Sequence, residues 1–189
     1  GGKAAMPSCE PRVEVSARDR QAAPAGLALP VAIVLDRLRS AFNVGNVFRL
    51  AEALRAERIV ACGYTAMPPH PKLAKTARGC EVLVPCTHSD SAAAAIRGLR
   101  AAGYWVCAVE TAVGAAAVWD VPFRFPAALV FGNEALGVSR DALALCDAVA
   151  CLPALGVKNS INVGNCAAVA LYESWRQWRC QCGAEAQRV

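Results

Sequence analysis

Short apolar runs alternate with helical stretches from residue 31 onward. Apolar runs of strand length predict strands at 31–35, 58–62, 82–85, 104–109, 127–131 and 148–152. The spacing of apolar positions elsewhere predicts helices near 45–56, 90–102, 139–146 and 160–179. Strands that alternate with helices are typical of a parallel sheet. The pattern therefore predicts an α/β fold with a mostly parallel sheet and helices on both faces.

The rest of the chain flanks this alternating pattern. Residues 1–30 contain Pro, Ala and Arg without a period and are predicted to form a flexible N-terminal segment. Residues 31–179 are predicted to form one domain, because 189 residues with 56% hydrophobic content suffice for one substantial core. Residues 180–189 are predicted to be a C-terminal tail.

The net charge and the hydropathy of the chain bear on its binding partner and its cellular location. The net charge of +5 suits a polyanionic partner, but it suits an ordinary slightly basic protein equally well. No apolar run approaches the ~20 residues that span a bilayer, and the N-terminus lacks the basic-then-apolar order of a signal peptide. We therefore expect a cytoplasmic protein that does not use a membrane.

The ten cysteines are interpreted as thiols, because a cytoplasmic compartment disfavours disulfides. There is no Cys-x-x-Cys pair, and His70 and His88 lie far from any cysteine pair with zinc spacing. Cys180 and Cys182 are better explained as an exposed, redox-prone pair than as metal ligands. We predict no metal site.

Three predicted strands lead into short polar segments. We name these motif one (Asn43 to Arg49), motif two (Gly132 to Gly137) and motif three (Leu152 to Asn162). Open α/β sheets place ligand sites at the carboxyl ends of their strands, so the three motifs are expected to meet there. In motif three, Ser160 is predicted to cap the final helix and Asn162 to present its amide one turn in.

The same residues also have simpler explanations. Asn43, Ser160 and Asn162 are ordinary capping and turn residue types, and Arg49 fits an exposed helix position. The chain has no G-x-G-x-x-G after its first strand and no P-loop pattern, which argues against a dinucleotide or nucleoside triphosphate site. Five further cations are either phosphate contacts or solvated surface charges: Arg37, Arg39, Arg55, Lys75 and Arg78.

Taken in order and at these spacings, the three motifs resemble those of the SpoU/TrmH family in the SPOUT superfamily of RNA methyltransferases. The resemblance covers Val31 to Trp178, with departures at Ala154, Ile161 and Gly164. It implies an α/β trefoil knot and transfer of a methyl group to a ribose 2′-hydroxyl of tRNA or rRNA. It further implies S-adenosyl-L-methionine (AdoMet) as the cofactor and a homodimer.

The resemblance also implies two sets of site residues. The catalytic set is Arg49, Asn43, Glu134, Ser160 and Asn162. The cofactor-binding set is Val109, Gly132, Asn133, Gly137, Leu152, Ser160 and Asn162. Glu134 is expected to position Asn43 or a neighbouring amide. A guanidinium with a pKa above ~12 is a poor base, so Arg49 either clamps phosphate and stabilises the developing alkoxide or takes the proton with phosphate assistance.

Two other functions stay open. One is a non-catalytic RNA-binding knot protein, which retention of the whole catalytic set disfavours. The other is a SPOUT enzyme that methylates a base nitrogen, which the resemblance to the ribose-specific branch disfavours. In the final predicted helix, Ala168, Leu171, Trp175 and Trp178 form a stripe that is explained by core packing or, in part, by a subunit interface.

Overall fold

Seven strands and five α-helices make up the computed structural model of the chain, which describes residues 28–158 and 160–182. The strands are β1 (Leu29–Asp36), β2 (Ala56–Cys62), β3 (Cys86–Ser89), β4 (Trp105–Val109), β5 (Ala116–Ala117), β6 (Ala127–Phe131) and β7 (Ala148–Cys151). The helices are α1 (Ala41–Ala53), α2 (Pro71–Ala77), α3 (Ala92–Ala101), α4 (Arg140–Leu143) and α5 (Val163–Gln181).

All strands join one parallel sheet in the order β3-β2-β1-β6-β4-β7-β5. Ile33 in the central strand β1 pairs with Ile59 on one side and with Leu129 on the other. Every residue of β6 is buried, as expected for a strand covered on both faces. The predicted parallel α/β sheet is confirmed, and its parallel strands bring the three motifs to one edge.

Helices cover both faces of the sheet. Side chains alternate along β1, so Ile33 faces the helices α1, α2 and α5 while Val34 faces α3 and α4. Phe48 and Leu171 fill the first layer, and Ile96 fills the second. Fully burying such side chains stabilises the fold by about 1.5–3 kcal/mol each. The two layers hold the site edge of the sheet on a rigid support.

The structure differs from the sequence prediction between α2 and β3. The predicted strand 82–85 is wrong: Cys80–Val82 is a 3-10 turn, and the strand starts at Cys86. Val82 and Leu83 are 80% and 61% exposed, so their apolar run has no place in the sheet. Helix α2 and the two-residue strand β5 were not predicted, although His70 as N-cap followed by Pro71 is a helix-start signal.

Little of the two ends of the chain lies within the described residues. The predicted flexible segment 1–30 and the predicted tail 180–189 fall mainly outside the described residues, although β1 already begins at Leu29. In the described part of the chain, no helix is both long and apolar enough to cross a membrane. The knot implied by the resemblance stays a prediction.

The cysteines that the structure describes are free thiols. Burial raises the pKa of Cys62 and of Cys107 to about 12, so both side chains stay protonated and behave as small hydrophobic groups. Cys180 is exposed and Cys182 is half-buried. Within residues 28–158 and 160–182, no cluster of three or more His, Cys, Asp or Glu side chains has the arrangement of a metal site.

Candidate active site

A carboxylate from motif two sits at the start of helix α1. Ser40 is the N-cap of this helix, and its hydroxyl accepts a hydrogen bond from Asn43 N at 3.3 Å. Glu134 accepts hydrogen bonds from Arg39 N at 2.9 Å and from Ser40 N at 3.1 Å. Backbone N–H groups at a helix start lack helical partners and favour negative charge, so Glu134 ties motif two firmly to the segment before motif one.

A chain of side-chain hydrogen bonds joins all three motifs. Asn43 Nδ2 donates to Glu134 Oε1 at 2.9 Å, and Asn162 Nδ2 donates to Asn43 Oδ1 at 3.2 Å. Because an ionised carboxylate only accepts hydrogen bonds, Glu134 fixes which way the Asn43 amide points. Asn43 Oδ1 is then left to accept a hydrogen bond, so the Nδ2 group of Asn162 faces it. The expected contact between Glu134 and Asn43 is therefore present, and it extends into motif three.

Asn162 also caps helix α5, where its Oδ1 accepts a hydrogen bond from Gly164 N at 2.8 Å. The predicted cap at Ser160 is wrong, because the helix begins at Val163 and Ser160 lies two residues before the cap. Serine and asparagine are about equally good N-caps, so the sequence pattern alone does not choose between them. Ser160 is instead an exposed residue that lines the neighbouring cleft.

The environment of Glu134 keeps its carboxylate ionised. Partial burial raises its pKa, but hydrogen bonds from Arg39 N, from the Asn43 side chain and from backbone N–H groups outweigh burial and hold the pKa below its ordinary value. With both oxygens occupied and the pKa lowered, Glu134 is suited to positioning Asn43 and poorly suited to accepting a proton.

Motif two is a closed loop held by its own asparagine. Asn133 N donates to Gly137 O at 3.1 Å, and Gly137 N donates back to Asn133 O at 2.9 Å. The Asn133 side chain is buried, and its Oδ1 accepts from Ala135 N at 2.9 Å and from Leu136 N at 3.0 Å. These contacts give the loop one conformation beside the cleft.

Gly132 has no room for a side chain, and Gly137 has both a close neighbour and a backbone conformation that disfavours one. A Cβ atom on Gly132 would lie 2.1 Å from Val138 N, and one on Gly137 would lie 2.5 Å from Glu110 Oε2. Gly137 also has φ +68°, a conformation that glycine adopts readily. Glu110 Oε2 accepts a hydrogen bond from Val138 N at 2.8 Å. Glu110 was not predicted, although a carboxylate directly after β4 is a strand-end signal of the same kind as the motifs.

A cleft of about 730 Å³ is lined by motifs two and three and by the residues that follow β4, and Asn43 of motif one lies at its border. This volume lies within the range of about 300–1,000 Å³ that is usual for small-molecule sites. All of the residues predicted to bind the cofactor line it, namely Val109, Gly132, Asn133, Gly137, Leu152, Ser160 and Asn162. Of the remaining predicted catalytic residues, Glu134 lines it as well, and Asn43 contacts both Glu134 and Asn162 at its border.

Arg49 is the predicted residue that the fold does not bring to this cleft. It is exposed, and it lies about 9 Å along α1 from Asn43 and about 120° around the helix axis. Asn46, one turn before it, lies beside the start of α5, with Nδ2 3.7 Å from the position of a Cβ on Gly164. Because Arg49 is exposed, its guanidinium is available to a molecule that approaches α1 from the solvent.

The other basic candidates divide into two groups. Arg37 Nε donates to Asp36 Oδ1 at 2.9 Å, and this hydrogen bond raises the pKa of Arg37. Asp36 is buried and also accepts from Ser139 N at 2.8 Å, so Arg37 serves the structure of the site edge. Arg39, Arg55, Lys75 and Arg78 are exposed.

Gly132→Ala is expected to lower stability by about 1–3 kcal/mol, the usual effect of overpacking, because the added methyl group meets backbone atoms. The matched control is Gly98→Ala, where no heavy atom lies within 4 Å of the added methyl group. Gly98 lies in helix α3, so alanine there should stabilise the protein by about 0.5–1 kcal/mol. Urea denaturation measures both variants. Equal stability of Gly132→Ala and the wild-type protein would contradict the close contact.

The family model described as the SpoU rRNA Methylase family matches residues 30–172. The 23S rRNA (uridine(2479)-2'-O)-methyltransferase of Streptomyces viridochromogenes is 32% identical over 149 residues, which cover 77% of this chain and 52% of that protein. The 23S rRNA (guanosine-2'-O-)-methyltransferase RlmB of Ralstonia nicotianae is also 32% identical over 149 residues, covering 78% and 59%. The chain thus spans little more than half the length of these curated relatives.

Solved structures give the same grouping. The SpoU methyltransferase AviRb from Streptomyces viridochromogenes in complex with the cofactor AdoMet aligns with a TM-score of 0.70 and 30% identity over 78% of this chain and 60% of that chain. A structure described as giving insights into the 2-OH methylation of C/U34 on tRNA aligns with a TM-score of 0.70 and 29% identity over 78% of this chain and 95% of that chain. With its three motifs assembled at one sheet edge and the family model matched across residues 30–172, the chain belongs to the SpoU rRNA methylase family.

Proposed function

We propose that the protein transfers a methyl group from AdoMet to a ribose 2′-hydroxyl of rRNA or tRNA. The observation that carries this proposal is the hydrogen-bond chain from Glu134 through Asn43 to Asn162, which runs along a cleft of cofactor size. Family membership supports the reaction, since the relatives at 32% identity are named as 2'-O-methyltransferases.

The cleft fits AdoMet in size, polarity and charge. Its lining includes exposed apolar side chains, among them Leu136 and Ile161, which suit the adenosine of an organic ligand. Among the described residues that line it, the charged groups are two carboxylates, Glu110 and Glu134, and one cation, Arg140. This balance favours a ligand that carries sulfonium and ammonium groups over a polyphosphate. Bound AdoMet supplies an electrophilic methyl group, so the protein mainly has to orient the hydroxyl and remove its proton.

The protein's own side chains then have separate tasks. Asn43 and Asn162 present fixed amides at the border of the cleft, and Ser160 offers a hydroxyl beside them. Neither His70 nor His88 lines the cleft, and Glu134 is committed to its three hydrogen bonds. By the resemblance to the SpoU/TrmH family, Arg49 is the residue that handles the 2′-hydroxyl and its neighbouring phosphate, either as a bidentate clamp or as a phosphate-assisted base.

A homodimer explains how Arg49 takes part although it lies outside the cleft of its own protomer. Helices α1 and α5 pack on the same face of the sheet and carry exposed apolar side chains, including Phe42, Val169 and Tyr172. Phe42 is seven residues before Arg49 and so lies on the same side of α1. Tyr and other aromatic residues are enriched at interfaces. In this proposal, a second copy covers these side chains and receives Arg49 beside its own motifs. The cytoplasmic location and the trefoil knot belong to the same proposal.

Titration calorimetry tests the cofactor assignment. The protein is expected to bind AdoMet and its demethylated product with dissociation constants between low micromolar and millimolar, and to give no heat with NAD or ATP, because the cleft lacks a phosphate-binding glycine pattern. Gly98→Ala should bind AdoMet like the wild-type protein. Heat with ATP and none with AdoMet or its product would contradict the assignment.

A further inference from the structure

Tyr64 presents an exposed aromatic ring beside the cleft. It follows strand β2 at the site edge of the sheet, and 61% of the residue is exposed. Its hydroxyl accepts a hydrogen bond from Asn133 Nδ2 at 2.9 Å. Asn133 is only 4% exposed and lines the cleft, so a buried amide of motif two holds the hydroxyl of a side chain that is itself largely exposed.

The surroundings of Tyr64 keep that ring in place. Asn133 Nδ2 also donates to Arg37 O at 2.7 Å, so the amide that holds the hydroxyl is itself fixed. Directly before Tyr64 in the sequence, Gly63 N donates to Ser89 O at 2.9 Å. The buried Thr65 donates its hydroxyl to Leu35 O at 3.0 Å and accepts from Leu38 N at 2.9 Å. Both neighbours of Tyr64 are thus anchored to the sheet, and the exposed ring is rigid.

Such an arrangement has a specific use in a protein that acts on RNA. A hydroxyl bonded at the ring edge leaves the ring faces open, and a pre-positioned aromatic face loses little entropy when a flat group stacks on it. The exposed Arg39 follows β1 at the same edge and adds positive charge there, and the side chain of Arg37, which is paired with Asp36, lies beside Gly63. Aromatic side chains flanked by cations are the usual way in which proteins hold unpaired bases.

We propose that Tyr64 is a stacking platform for an unpaired base next to the target ribose, and that the RNA segment recognised is therefore a single-stranded loop or bulge. This inference rests on the RNA substrate of the proposed function. It adds a substrate class and a residue outside the three motifs. A base in a continuous duplex is already stacked on both faces and has no free face for Tyr64.

The test measures binding of fluorescein-labelled RNA of about 12 nucleotides, a length in the range that single-strand sites cover. The probes are oligo(rA), the same strand paired with oligo(rU), and a strand whose central positions are abasic. Tyr64→Ala should weaken binding of oligo(rA) by about 5- to 150-fold, the effect of losing one stacked base. It should change binding of the duplex and of the abasic strand by less than about twofold, since neither offers a free base to stack.

Two further variants separate stacking from structural support. Tyr64→Phe keeps the ring and loses the hydroxyl, so it should bind oligo(rA) within about twofold of the wild-type protein. Trp119→Ala is the matched control, because Trp119 is 53% exposed and follows β5 at the far end of the strand order from β2 and β3. It should bind like the wild-type protein.

Several outcomes would overturn the stacking role. If Tyr64→Phe loses as much affinity as Tyr64→Ala, the hydroxyl only supports Asn133. The role also fails if Tyr64→Ala weakens binding of the abasic strand as much as binding of oligo(rA), or if it leaves binding of oligo(rA) unchanged. It fails as well if the wild-type protein does not bind oligo(rA). Methylation of cellular RNA by the wild-type protein is measured in parallel. If the wild-type protein methylates RNA but Tyr64→Ala binds oligo(rA) as well as the wild-type protein does, only the stacking role is refuted. If the wild-type protein binds RNA in a base-dependent way but does not methylate it, only the proposed function is refuted.

Discussion

Arg49→Lys and Arg49→Ala are both expected to lower kcat by about 100-fold or more, the usual effect of removing a group that stabilises charge in the transition state. Lysine keeps the positive charge but not the planar fork that holds a phosphate in bidentate fashion. AdoMet binding should not change, since the proposed partners of Arg49 are the 2′-hydroxyl and the RNA phosphate rather than the cofactor. Single-turnover methylation at saturating RNA and AdoMet measures the chemical step directly.

The matched control for Arg49 is Arg97→Lys. Arg97 is an exposed arginine on α3, which packs on the opposite face of the sheet from α1. Its lysine variant should turn over like the wild-type protein. A rate for Arg49→Lys within about threefold of the wild-type rate would show that Arg49 is a surface residue, because lost transition-state contacts have far larger effects.

The dimer proposal adds a further result for the same residue. Arg49→Ala is co-expressed with an inactive motif-three variant, which gives mixed dimers. If Arg49 acts in the partner's cleft, one site of each mixed dimer combines a native motif three with a native Arg49 from the other protomer. With random pairing, activity should recover to about a quarter of the wild-type level. If both residues act within one protomer, no mixed dimer contains an intact site and activity stays absent.

Asn162→Asp is expected to lower kcat by about 100-fold while leaving the free energy of unfolding near that of the wild-type protein. Aspartate keeps the oxygen that caps α5, but it replaces the Nδ2 donor to Asn43 with an acceptor. Asn43 cannot rotate its amide to donate to the aspartate, because Glu134 already accepts the hydrogen bond from Asn43 Nδ2. Misplacement of reacting groups by about 1 Å is enough for a 100-fold effect.

Asn162→Ala and Ser160→Ala complete this comparison. Asn162→Ala removes the cap as well and should also destabilise the protein by about 1 kcal/mol. Ser160→Ala should change stability by less than about 0.5 kcal/mol, because Ser160 does not cap the helix. Urea denaturation and single-turnover rates measure the two effects separately. Full activity of Asn162→Asp would mean that Asn162 is only a capping residue.

The sequence was sufficient to predict that the polar segments of the candidate site meet at one edge of the sheet. Buried strands such as 127–131 have an unbroken apolar pattern, and parallel strands bring the polar segments that follow them to one edge. The same pattern indicated motifs one to three, and the family resemblance added the residues predicted to bind the cofactor, which line the cleft. The strand order was beyond such reasoning, because it depends on pairings between distant segments such as Leu35 with Phe131.

Local patterns failed where two physical explanations were equally good. Ser160 and Asn162 are comparable helix caps, and only the packed start of α5 decides in favour of Asn162. Val82 and Leu83 have the residue types of a strand but lie exposed, because β2 pairs with the strand that starts at Cys86. Glu110 and Tyr64 depend on contacts with motif two, and no short-range pattern connects them to it.

The most direct measurement is the position of the methyl group in the product. RNA from cells that lack the gene is incubated with the protein and AdoMet, digested to nucleosides and analysed by mass spectrometry. The proposed function predicts a nucleoside whose added methyl group stays with the ribose fragment, and predicts its loss with Arg49→Lys. A methyl group on the base fragment, or no methylation of this RNA by protein that binds AdoMet, would contradict it.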